Sequence, residues 1–235
     1  DMHVRGNGND PMDVGLKGRI QVQEAQLLDP DGVKLTGLGR MEVVIDSIDV
    51  KQELYRIRRF TLHEPYVFYE MYDEDDNWTR LMAPDTVASS VAAEAELGYD
   101  PMNPFSMLVF YAKEVAASYT DGNYKVDSLG IGMGTVIFND YTLQNTFHYA
   151  LTDLSITANG INSKQDSITL FAHSALNGSG TFDARADLDP ATLRNMHFSY
   201  TIDQLGMPDF GPYTVFFLAH PILSGTTRYT CETHI

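Results

Sequence analysis

From residue 124 to the end, stretches of alternating apolar and polar residues follow one another with only short turns between them. The stretches cover roughly 124–138, 147–158, 167–176, 180–188, 194–205, 213–220 and 225–234, and Asn, Asp, Gly or Pro separates them. Period-two alternation puts one set of side chains on each face of a strand. Strands that follow strands without helices between them pair antiparallel, because a parallel pair needs a long crossover. This feature restricts the chain to a mainly antiparallel sheet.

The first part of the chain reads the same way. In "GLKGRIQVQEAQLL" Ile20 and Val22 alternate with Arg19, Gln21 and Gln23. "DPDG" (29–32) has turn chemistry. Strands follow at 39–50 and 55–72, with a break in phase near Pro65. Residues 1–12, rich in turn formers and without periodicity, read as a flexible lead-in. Residues 13–235 read as one β-rich domain: a strand group 13–82, a helical insertion 83–122, and a second strand group 123–235. Within the insertion, Asp85 and Gly98 bracket a helix over about 85–97. A second helix is expected over about 104–119, with Pro104 at its first position and Phe105, Leu108, Ala112, Val115, Ala116 and Tyr119 on one stripe. The expected architecture is α+β, mainly β: a strongly curved antiparallel sheet of repeated hairpins, open like a half-barrel or groove, with one or two helices packed on it. The second helix should plug one end or cover the concave face.

Repetition supports the hairpin reading. "KGRIQVQEAQL" (17–27) echoes "MGTVIFNDYTL" (133–143), and "SGTFDARADL" (179–188) and "SGTTRYTCET" (224–233) open on the same step.

The glycine-rich stretch Gly130-Ile-Gly132-Met-Gly134 is one residue short of a dinucleotide fingerprint. It leads into a strand, so no helix N-terminus stands behind a phosphate. Glycines inside a strand mark bulges and bends instead. The histidines His63, His148, His173, His197 and His220 fall in different strands with no ligand spacing, so no metal site is expected. "DEDDN" (73–77) lacks the glycine and closing Glu of a calcium loop. Asp183, Asp187 and Asp189 share a strand face and are expected to be exposed. Cys231 is expected to be packed rather than reactive. There is no nucleophile elbow and no Cys/His signature. The expectation is no enzyme, no catalytic residue and no cofactor.

With 16 Lys+Arg against 32 Asp+Glu, the net charge of −16 argues against nucleic acid and anionic membrane surfaces as partners, since both need clustered positive charge. The positive signal is apolar. "PYVFYEMY" (65–72) and "PYTVFFLAHPIL" (212–223) are near-continuous runs, which are buried on both faces or line an apolar groove.

Residues 39–82 resemble the early part of AsmA-like envelope proteins. The resemblance is carried by Leu62, Pro65, Val67, Tyr69, Glu70, Asn77, Trp78 and Leu81. Residues 124–161 resemble that family's central strand pair, and 198–230 its closing hairpins. The best match is to the branch that carries a domain of unknown function. The resemblance implies a periplasmic protein of Gram-negative bacteria, anchored in the inner membrane by an N-terminal helix that this chain lacks. It implies a role in outer-membrane biogenesis or lipid transport, with phospholipid or another lipid, envelope proteins or neighbouring repeats as partners. The alternative is a structural or protein-interaction module of the envelope. Asp1 at the start and a strand at the end suggest a piece of a longer chain.

Overall fold

The computed structural model describes residues 2–7, 10–82, 123–164, 167–189 and 196–234. The helices expected at 85–97 and 104–119 lie outside the described residues. Eleven strands form a single curved sheet: β1 (Met2–Asn7), β2 (Asp10–Leu28), β3 (Lys34–Asp49), β4 (Leu54–His63), β5 (Tyr66–Met71), β6 (Asn123–Asp140), β7 (Phe147–Asn162), β8 (Ile168–Leu176), β9 (Gly180–Leu188), β10 (Met196–Gly206) and β11 (Thr226–His234). The sheet is open, running from β1 at one edge to β11 at the other. Among the described residues two short helices accompany it, α1 (Asn77–Met82) and α2 (Gly211–Leu218), the latter entered through a 3-10 turn at Met207–Phe210.

The sheet is mixed rather than purely antiparallel. β1 to β4 and β6 to β11 are antiparallel meanders. They join where β6 runs parallel to both β4 and β5. A parallel pair needs a long connection. The chain between Met71 and Asn123 supplies it, so the break in the strand pattern at residue 73 marks the junction.

Two sequence expectations are corrected. Residues 2–7 are not a flexible lead-in but strand β1, in which His3 pairs with Lys17 and Val4 with Leu16. Its order comes from backbone pairing to β2, while Met2 and Val4 stay exposed, so no side-chain periodicity announces it. Residues 213–218 are helix, not strand. Pro208 and Pro212 sit at the first turns of the 3-10 and α segments, where a fixed φ suits a helix start and a missing N–H costs nothing. Ala219 closes α2 in the left-handed conformation, φ 58°, with its N–H on the Val215 carbonyl.

A crease crosses the sheet. Glu24, Glu64, Met133, Asp153 and Gln204 all have φ between 51° and 56°. Four of them lie on β2, β6, β7 and β10, and Glu64 directly follows β4. The register shifts at Met133 between Ile131 and Gly134, at Asp153 between Thr152 and Ser155, and at Gln204 between Ile202 and Leu205. Each shift is a bulge, and bulges bend and twist a strand. On β8 the crease passes Ser174, which is 1% exposed and donates its hydroxyl to the Thr152 carbonyl beside the β7 bulge. The glycine-rich stretch is part of this device. A Cβ on Gly134 would lie 3.1 Å from both Leu154 Cβ and Pro65 Cγ, whereas one on Gly132 meets nothing within 4 Å. Gly134→Ala is therefore expected to destabilise the chain by about 1–3 kcal/mol through overpacking. Gly132→Ala should change stability by less than about 1 kcal/mol. Urea midpoints of the two variants check the difference.

Candidate functional site

The register sorts residues into rows that cross the sheet. One row runs Ile20, Val43, Phe60, Leu129, Ala158, Leu170, Ala186, Phe198 and ends at Thr233. The next runs Val22, Met41, Leu62, Ile131, Ile156, Ala172, Ala184, Tyr200 and Cys231. Neighbours two residues apart along a strand share a face. The rows therefore form one apolar band across nine strands, roughly 40 Å long at about 4.8 Å per strand. The row between the first two faces the other way and is mostly polar: Gln21, Glu42, Thr61, Gly130, Thr157, Phe171, Arg185, Ser199 and Glu232.

No second layer covers the band among the described residues: substantial contacts between strands are all between sheet neighbours. Among the described residues few hydrophobic side chains are buried; Leu35, Ile45, Phe147, Ala158, Ile168 and Leu176 are such residues. Most of the band is half-buried, and Phe198 and Tyr229 are exposed.

Past the crease the same face becomes aromatic. Phe147 is 5% exposed. Its ring meets Tyr213 edge-on at 4.8 Å and lies within 5.9 Å of the rings of Phe138, Tyr149 and Phe210. A buried carboxylate fastens α2 there. Asp140 is 1% exposed and accepts from Tyr213 Oη at 2.6 Å and from the Thr142 amide and hydroxyl at 2.9 and 2.7 Å. Burial, then the bond to Asp140, pushes the Tyr213 phenol above its ordinary value. Burial likewise pushes Tyr149 up to about 12, with the nearby Asp209 adding to it. The outer side of α2 is bare: Phe216, Phe217, Leu218 and the following Leu223 are exposed, Phe217 at 71% and Leu223 at 84%. No Asp, Glu, Lys or Arg occurs between Phe210 and Thr227.

The other sequence candidates are structural or separate. Asp76 caps α1, accepting from the Trp78 and Thr79 amides. Asp75 pairs with Arg80, whose guanidinium lies over the Tyr72 ring. Asn77 is buried, donating to the Phe68 carbonyl and accepting from the Glu70 amide, while the Trp78 indole also reaches Phe68. The "DEDDN" turn and the Asn-Trp pair thus tie α1 to β5. His63 stands beside Glu64, His148 bonds Asn139, and His173 bonds Asp183 at 2.7 Å. His220 follows α2 and is exposed. Asp183 is exposed, as expected. Asp187 is more enclosed, and the Arg185 guanidinium and the Thr169 hydroxyl hold it below the usual carboxylate range. Asp189 lies just past β9. Cys231 is half-buried on the apolar face opposite Tyr200. His197 meets Glu232 and His234, a grouping the sequence reading did not find. The spacing Glu232-x-His234 was its only local signal.

A scan against protein-family models returns no match, and neither does a search of curated proteins.

Proposed function

We propose that this chain is a non-enzymatic periplasmic segment of an AsmA-like envelope protein, in which the apolar band holds lipid acyl chains during outer-membrane biogenesis or lipid transport. The observation that carries this reading is the band itself, continuous over nine strands and left without a covering layer among the described residues. A half-buried apolar band of this extent, with Phe198 and the neighbouring Tyr229 exposed, fits a binding surface. Its length exceeds the roughly 15 Å of one bilayer leaflet's hydrocarbon, so it has room for whole acyl chains. The opposite polar face keeps water on its own side. The bare helix α2 adds an apolar lip at one end, where a chain could pass on or off. The resemblance to AsmA-like proteins supplies the envelope setting and the membrane anchor of the full-length protein.

Transfer of a fluorescent phospholipid between zwitterionic vesicles tests the reading. The chain should accelerate transfer. Phe217→Asp should slow it about tenfold or more, since an aromatic side chain worth about 1.5–3 kcal/mol of burial is replaced by a charge. Because Phe217 is exposed, the fold should survive, and unchanged transfer by that variant would remove α2 from the account.

The second reading is a structural or interaction module without lipid carriage. The open edges at β1 and β11 favour it, because an unpaired strand edge is a template for another strand. Concentration-dependent self-association in sedimentation, with no lipid bound, would mark that role.

A further inference from the structure

We propose that His197, Glu232 and His234 form a divalent transition-metal site on the polar face, at the β10–β11 edge. His197 and His234 are direct cross-strand partners. Glu232 lies two residues before His234, on the same face. It stands opposite Ser199, whose small side chain leaves room over the strands. One ligand atom from each of the three lies within 4.8 Å of the others.

The spacing suits a metal. A tetrahedral ion with bonds of about 2.0–2.1 Å holds its ligand atoms about 3.3 Å apart. Glu232 Oε1 is 3.0 Å from His197 Nε2 and 3.8 Å from His234 Nε2, on either side of that value. The two rings stack at 4.4 Å, 7° from parallel. The His234 side chain is 74% exposed, so the ring is free to turn out of the stack and aim its lone pair at a bound ion. Behind the site, His197 Nδ1 faces Asp187 Oδ2 at 3.7 Å. A carboxylate behind a ligating imidazole orients the ring and raises its basicity. Asp187 is itself held by two bonds from the Arg185 guanidinium and one from the Thr169 hydroxyl. The other histidine pairs, His173 with Asp183 and His148 with Asn139, lack a third ligand among the described residues.

Two imidazoles and one carboxylate favour zinc, nickel or copper over magnesium or calcium. Three protein ligands leave a position for water, and the ion would clamp edge strand β11 to β10.

Calorimetric titration of the chelator-treated full chain with zinc chloride, and separately with magnesium chloride, tests the site. The expected result is one zinc per chain and no magnesium. His197→Gln and His234→Gln should each weaken zinc binding at least tenfold, and Asp187→Asn about tenfold with stoichiometry kept. His173→Gln should leave the titration unchanged. Circular dichroism shows that each variant is folded. Absent zinc binding in the folded wild type, or binding unchanged in the His197→Gln/His234→Gln double variant, would overturn the assignment.

Discussion

Phe147→Ala is expected to destabilise the chain by about 4 kcal/mol, the largest single loss outside the backbone. Phe147 is the point where four other rings meet: Phe138 on β6, Tyr149 on β7, Phe210 in the 3-10 turn and Tyr213 on α2. Truncation removes the transfer energy of the ring and leaves a cavity that a single-layer sheet cannot close from behind. The edge-on contact with Tyr213 adds about 0.5–1.5 kcal/mol beyond burial. The loss should also be local in a way hydrogen exchange can read. Amides 211–218 should exchange faster, because α2 then loses its ring contact with β7 and is held by the Tyr213–Asp140 bond and by Phe210 against Tyr149 at its entry. Urea unfolding gives the magnitude, and a loss below about 1 kcal/mol would show that the aromatic cluster does not hold the helix.

The second large effect concerns the band. Ile131→Asp is expected to abolish phospholipid binding while Thr157→Asp leaves it intact. The two residues lie close together, on β6 and β7, but on opposite faces: Ile131 pairs with Ile156 in the apolar row, and Thr157 pairs with Gly130 in the polar one. An unpaired carboxylate against hydrocarbon costs several kcal/mol even after relaxation. Each 1.4 kcal/mol is a tenfold loss of affinity, so occupancy should drop below detection. No described element covers this face, so with no lipid bound the carboxylate can stay solvated and the fold should persist. Equal lipid binding by both variants would mean that the two faces are not functionally distinct.

Much of the fold was legible because alternation is a local property. Ile20 and Val22 against Arg19, Gln21 and Gln23 already separate the faces of β2, and the strand group after residue 123 is found nearly where it was expected. The band was not legible. Its rows join residues as far apart as Val22 and Cys231, and their alignment depends on register, which the bulges at Met133, Asp153 and Gln204 set. A one-residue slip moves a whole strand to the other face. Helix α2 was misread because Tyr213, Val215, Phe216 and Phe217 are strong strand formers, while the decisive signals were Pro208 and Pro212 at the start. Edge strand β1 left no trace, since backbone pairing has no side-chain signature. The His197, Glu232 and His234 cluster combines a two-residue spacing with a partner 35 positions back, which only the β10–β11 register joins.

Native mass spectrometry of the chain purified from a Gram-negative envelope, with lipid extraction from the same sample, tests the central claim most directly. The account predicts a bound population shifted by the mass of phospholipid, with matching lipid in the extract. A clean mass without lipid, from chain that is folded by circular dichroism, would contradict it.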